Sequence, residues 1–159
     1  MNGAPLLERI ADALAECRLE AVLIGNAAAA LHGAPVTTVD FDFMFRKTEG
    51  NLGKIRKVAT KLGGIVRRPY YPASGLYRVV NDAAGLQVDF MSTVHGVRSF
   101  SGLKSRARRV MFGRSDLLVA ELADIIRSKK AADRPHDRAV LEVLEKTLHE
   151  AQKGEADKK

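Results

Sequence analysis

Asp40-Phe41-Asp42-Phe43 sets two carboxylates two positions apart. In an extended strand side chains alternate, so both aspartates face one way and both phenylalanines the other. Aspartate is depleted in strands, and two on one face ask for a reason. A third acid, Asp89, lies inside another apolar run, Leu86-Gln-Val-Asp-Phe-Met91. If those two strands are neighbours, three carboxylates converge, repel one another and rise in pKa. A divalent cation removes that penalty. Mg²⁺, or Mn²⁺ in its place, takes oxygen ligands and shares its shell with phosphate oxygens. Metal held in this way can activate an attacking hydroxyl and stabilise the leaving oxygen of an in-line displacement at phosphorus. The alternative is a half-exposed strand whose acids sit in water, and the tetrapeptide alone does not separate the two.

A second feature points the same way. The apolar run Ala21-Val-Leu-Ile24 ends at Gly25-Asn26. Glycine at a strand-to-helix turn lets the backbone approach a ligand, and the first N–H groups of the following helix attract an anion. Asn26 is expected as the N-cap of that short helix, with Gly33 as its stop. A phosphate-binding turn beside a carboxylate cluster is what transfer of a nucleotidyl group requires.

In this arrangement the chain resembles the nucleotidyltransferase fold of the DNA polymerase β superfamily. It is most similar to the small minimal nucleotidyltransferases and the AbiEii-type toxins of type IV toxin–antitoxin systems. The residues that carry the resemblance are Ile24-Gly25-Asn26, then thirteen residues (27–39), then Asp40-Phe41-Asp42-Phe43, with Asp89 as the later acid. Leu31-His-Gly-Ala-Pro-Val-Thr-Thr38 resembles the stretch before the paired acids. Lys129-Lys-Ala-Ala-Asp-Arg-Pro-His-Asp137 resembles the segment joining the last two helices. The resemblance implies that Asp40 and Asp42 hold Mg²⁺ or Mn²⁺, and that Asp89 completes the metal site and assists the attacking hydroxyl. Gly25 and Asn26 would cradle a nucleoside triphosphate, and Lys129 and Arg134 would contact phosphate or acceptor. Three positions depart from the pattern: Asn26 stands for Gly or Ser, Val36 for Arg and His136 for Lys. A catalytically inactive, antitoxin-like binding module on the same fold is therefore the second reading.

The charge balance gives the acceptor. The 159 residues carry 26 Lys and Arg against 19 Asp and Glu, net +7. The excess sits in two blocks. Residues 46–72 hold eight basic side chains and one acid, and residues 98–114 hold six and none, whereas residues 1–45 are net −4. Two acid-poor blocks suggest a phosphate-attracting surface and tilt the acceptor toward RNA, tRNA being the natural choice, with a protein hydroxyl as an alternative. A general RNA-binding domain driven by charge alone is a third reading, and a cognate toxin or antitoxin a further expected partner. Tyr70, Tyr71 and Tyr77 interleave with Arg67, Arg68 and Arg78 and could stack on bases, although an ordinary amphipathic strand explains them equally well.

Other classes are excluded or disfavoured. One cysteine, Cys17, rules out a disulfide framework and a cysteine-based zinc site. No basic segment followed by an apolar run opens the chain, and Ala21–Leu31 is broken by Gly25 and Asn26. No secretory leader and no membrane partner are expected, and the location is taken as cytoplasmic. His32 beside Gly33 reads as a packed or capping residue, and His95 has no identified partner.

The elements that must position the site follow from periodicity. Helices are expected near 5–18, 27–31, 52–62 and from Pro135 onward, and a helix capped by Ser115 runs to about 130. Strands are expected at 21–24, 39–45, from 65, at 76–80 and 86–91 as a hairpin, and at 108–112. Residues 92–105 read as loop. The fold class is α+β: a mixed β-sheet flanked by helices, with two C-terminal helices. One domain is expected over 1–151, with a polar tail, 152–159, that frays.

Overall fold

A computed structural model of the chain describes residues 4–38, 40–67 and 75–157. The elements are α1 (Ala4–Cys17), β1 (Ala21–Ile24), α2 (Gly25–Leu31), β2 (Asp40–Phe45), α3 (Glu49–Lys61), β3 (Ile65–Arg67) and β4 (Leu76–Asn81). A short 3-10 turn (Asp82–Ala84) leads to β5 (Leu86–Met91), α4 (Phe100–Arg106), β6 (Arg108–Phe112), β7 (Ser115–Val119), α5 (Leu122–Ala132) and α6 (Pro135–Asp157). The strands form one seven-stranded mixed sheet in the order β3-β4-β5-β2-β1-β7-β6. β2 runs parallel to β5 and antiparallel to β1, and β1 runs parallel to β7. This is the α+β architecture expected, with two helices closing the chain.

Alternation along β2 makes the two sheet faces chemically different. Phe41, Phe43 and Phe45 are at most 1% exposed. Phe43 stacks on Phe90 at 5.6 Å, and Phe45 meets the same ring edge-on at 6.2 Å. Leu7 and Ile10 of α1 and Ile55 and Val58 of α3 belong to the same buried cluster. Each such side chain contributes about 1.5–3 kcal/mol by leaving water. The phenylalanines thus anchor the strand, and the pleat sends Asp40 and Asp42 to the other face.

Four expectations are corrected. Ser115 opens strand β7, not a helix. The turn at Gly113 (φ +66°) folds β7 back on β6, and Leu117 and Val119 alternate into the core. That two-residue period was masked by the serine–aspartate pair, which reads as a helix cap. Residues 100–106, expected as loop, form α4. The Ser99 side chain accepts from the Gly102 amide, and Phe100 and Leu103 are buried. Helix α2 begins at Gly25, with no side-chain cap bond, so Asn26 lies inside its first turn and is not the cap. The tail does not fray at Gln152. Helix α6 continues through Asp157, with Ala151, Gln152, Lys153, Glu155 and Ala156 as good helix formers around Gly154. Val39, Arg68, Tyr70 and Tyr71 lie outside the described residues. Among the described residues, no helix is long and apolar enough to cross a membrane.

Candidate active site

Strand register assembles the site. β2 and β5 pair Asp42 with Asp89 and Asp40 with Gln87. β1 pairs Ile24 with Asp42, which puts the Gly25 turn at the end of the carboxylate strand. Thr38 fixes the entry to β2: its hydroxyl donates to the Asp40 carbonyl at 2.8 Å and accepts from the Asp40 amide at 3.2 Å. Gly25 has φ +69°, and a Cβ there would lie 2.9 Å from Asp42 Oδ2. Only glycine allows the backbone this close to the carboxylate. All seven residues singled out from the sequence, Gly25, Asn26, Asp40, Asp42, Asp89, Lys129 and Arg134, line one cavity of about 430 Å³. That volume falls in the range of small-molecule sites.

The three carboxylates differ in environment. Asp40 is exposed. Asp42 is pushed up to about 6 by burial, then by the charges of Asp89 and Asp40. Asp89, 6% exposed, is held in a guanidinium fork: Arg78 Nε donates to Oδ1 at 2.9 Å and Nη2 to Oδ2 at 3.1 Å. Among the described residues, no three His, Cys, Asp or Glu side chains are already drawn round a metal-sized point. The expected trio is therefore assembled by register, but Asp89 is turned to arginine.

Across the cavity, α5 and the start of α6 supply cations. Lys129 is 8% exposed and Asp137 fully buried, 3.5 Å apart. Arg134 donates to Asp137 through Nε at 2.6 Å, through Nη2 at 3.2 Å and through its backbone amide at 3.3 Å. Burial works against ionisation of Asp137, but the Arg134 hydrogen bonds and the charges of Arg134 and Lys129 prevail and hold its carboxyl below the usual range. Both cations lower the pKa of Asp42, so their fields reach the carboxylate side.

Two residues escaped the sequence reading. Arg78 was visible as the hairpin partner of Asp89: counting outward from the Asn81–Leu86 pair meets Arg78 opposite Asp89. Asp137 was visible as an acid three residues after Arg134, at the start of a helix opened by proline, the position that bonds back to the preceding backbone. His32 takes the packing role expected, its Nε2 donating to the Ala120 carbonyl at 2.7 Å. His95 lies on the cavity rim in the loop after β5. The Asn26 Oδ1 is buried with no hydrogen-bond partner among the described residues.

The basic blocks fare differently. In the second, Lys104, Arg106, Arg108, Arg109 and Arg114 pair with Glu20, Asp124, Glu121, Asp116 and Asp12. Only Arg98 lacks an acidic partner among the described residues of that block. In the first, Lys61 pairs with Glu16 at 2.9 Å, whereas Arg56, Lys57 and Arg67 are exposed and have no acidic partner among the described residues. The surplus charge available to a polyanion therefore lies on α3 and β3, not on both blocks.

No protein-family model matches the chain, and no curated protein does. Solved structures do. The antibiotic-resistance factor ANT(2'')-Ia in solution is 13% identical with a TM-score of 0.59, covering 98% of this chain and 94% of its own. The crystal structure of ANT(2'')-Ia in complex with adenylyl-2''-tobramycin is 17% identical with a TM-score of 0.62, covering 93% and 90%. A Thermotoga maritima protein assigned as a nucleotidyltransferase is 21% identical with a TM-score of 0.55, covering 92% of each chain. With likeness running through nearly all of both chains, this chain has the nucleotidyltransferase fold.

Proposed function

We propose that this chain is a metal-dependent nucleotidyltransferase that moves a nucleoside monophosphate from a triphosphate to a hydroxyl acceptor. The observation that carries the reading is the register pairing of Asp42 with Asp89 beside the Gly25 turn, with Lys129 and Arg134 lining the same cavity. The donor set suits Mg²⁺ or Mn²⁺. It offers carboxylate oxygens only, and Asp42 is driven toward its neutral form by burial and two like charges, a strain that a hard cation relieves. Asp40, Asp42 and Asp89 would hold the metal, which supplies charge stabilisation for both the attacking and the leaving oxygen. Lys129, Arg134 and the Gly25–Asn26 backbone orient the triphosphate. The acceptor hydroxyl bonds to the α-phosphorus, the bond to the β-phosphate oxygen breaks, and pyrophosphate leaves. Asp89 accepts the hydroxyl proton.

The acceptor is the finer part of this proposal. Free cations at Arg56, Lys57 and Arg67 favour RNA, tRNA in particular. A structural neighbour in complex with adenylyl-2''-tobramycin makes a small polyhydroxylated acceptor the competing choice. A toxin–antitoxin setting enters only through the resemblance of the motifs. Incubation with labelled nucleoside triphosphates, Mg²⁺ and either total RNA or a panel of small polyols tests the whole reading. Label should enter one acceptor class and disappear in the Asp40→Ala, Asp42→Ala double variant. Equal labelling by the double variant sinks the enzymatic reading. One observation favours the second reading, a non-catalytic binding module: both Asp89 oxygens are engaged by Arg78. That reading predicts nucleotide or protein binding that is indifferent to added metal.

A further inference from the structure

Arg78 has no place in the machinery described so far, yet it makes the best-formed contact in the cavity. Its guanidinium reaches from β4 to both oxygens of Asp89, and its side chain is 38% exposed on the cavity wall. The Asp89 hydrogen bonds above all, and then the charges of Asp89, Asp40 and Asp42, hold Arg78 protonated against the opposing effect of its own burial. Among the described residues Asp42 has no comparable bonded cation; its register partners on the neighbouring strands are Ile24 and Asp89. The protein itself thus already places one cation in the three-carboxylate cluster, at a carboxylate that the metal would share with Asp40 and Asp42.

A guanidinium fork fits a carboxylate and a phosphate equally well, since both present two oxygens in one plane. We infer that Arg78 is an exchangeable occupant of Asp89: metal arriving with a nucleotide takes the carboxylate, and the displaced guanidinium turns within the cavity to bind the triphosphate. This rests on the function proposed above. Its consequence is that free metal alone meets a competitor, whereas metal with a triphosphate is welcomed, because the arginine gains a partner as it loses one. The arrangement couples occupancy of the two ligands through a single side chain.

Mn²⁺ and inorganic tripolyphosphate are suitable probes, because neither depends on the identity of the base. Mn²⁺ binding without phosphate is read from the free-ion paramagnetic resonance signal, and tripolyphosphate binding in the presence of Mn²⁺ from titration calorimetry. Arg78→Gln should bind Mn²⁺ alone about tenfold tighter and tripolyphosphate about tenfold weaker than the wild type, the size of one lost charge-assisted hydrogen bond. Unchanged or weaker Mn²⁺ binding means that Arg78 is a fixed brace for Asp89 and overturns the exchange. So does unchanged tripolyphosphate affinity. Arg78→Lys keeps the charge but loses the fork, and should move both affinities in the same directions by less. It serves if Arg78→Gln does not fold, and wild-type values in both assays would then overturn the exchange. Failure of the functional reading looks different: no Mn²⁺ bound by the wild type, by Arg78→Gln or by Asp42→Asn.

Discussion

Asp42 carries a conflict between stability and chemistry. Unfolded, its carboxyl ionises near 3.8; folded, near 6. The native state therefore holds the proton more tightly, and its contribution to stability is fully present below about pH 4 and lost as pH rises through about 6. The difference amounts to roughly 3 kcal/mol at neutral pH. Asp42→Asn should raise the denaturation midpoint at pH 7.5, converge with the wild type near pH 4, and abolish nucleotidyl transfer. Urea titrations at the two pH values check the first part. Metal acts on the same conflict. Millimolar Mn²⁺ should raise the melting temperature of the wild type at pH 7.5, do so much less at pH 5, where Asp42 is largely protonated, and leave Asp42→Asn little changed. The carboxylates, Gly25 and the two cations were legible because their spacing along the chain reports the chemistry. Arg78 and Asp137 were not singled out, because their importance comes from hairpin register and helix-cap geometry, which must be counted outward from a turn or a helix start and not read from the residues' own spacing.

At the joint between α5 and α6, buried apolar side chains such as Ile125 and Leu144 are joined by a buried ion-pair cluster. Asp137 is fully buried between Lys129 on one helix and Arg134 at the entry to the other. Removing it leaves a nearly buried ammonium without its acid. Asp137→Ala should cost about 3–5 kcal/mol, visible in a denaturant midpoint, and should weaken triphosphate binding with Lys129 and Arg134 still present. Most elements could be read from periodicity: the helices of 4–17 and 49–61, the hairpin around Asp82–Ala84 and the long final helix. The exceptions share a cause. β7 begins with Ser115-Asp116, which caps helices as readily as it edges strands, and its identity comes from pairing with its hairpin partner β6 and with β1, remote in sequence. α4 spans seven residues, too few for a periodic signal, and rests on the Ser99 cap and two buried side chains.

Over the whole molecule, net charge overstated the surface open to a polyanion. An arginine beside its acid presents little net charge to phosphate, although exposed pairs of this kind contribute only about 0–1 kcal/mol to stability. Arg56→Glu with Lys57→Glu should therefore weaken RNA binding strongly and reduce the salt dependence by about two phosphate contacts, while Arg108→Gln with Arg109→Gln changes it little. Filter binding across a salt series checks both. The sheet has a further consequence through Asp42 and Asp89. Their separation is a backbone dimension, the roughly 4.8 Å between neighbouring strands, and not a product of side-chain packing. A slip of β2 by one residue would bury both aspartates and send phenylalanines into the cavity. The gauge of this centre is thus quantised: drift in the core can weaken the protein but cannot widen the carboxylate pair by degrees. If the centre holds an ion as proposed, any change in the size it favours would come from the arms that reach in from outside, such as Arg78.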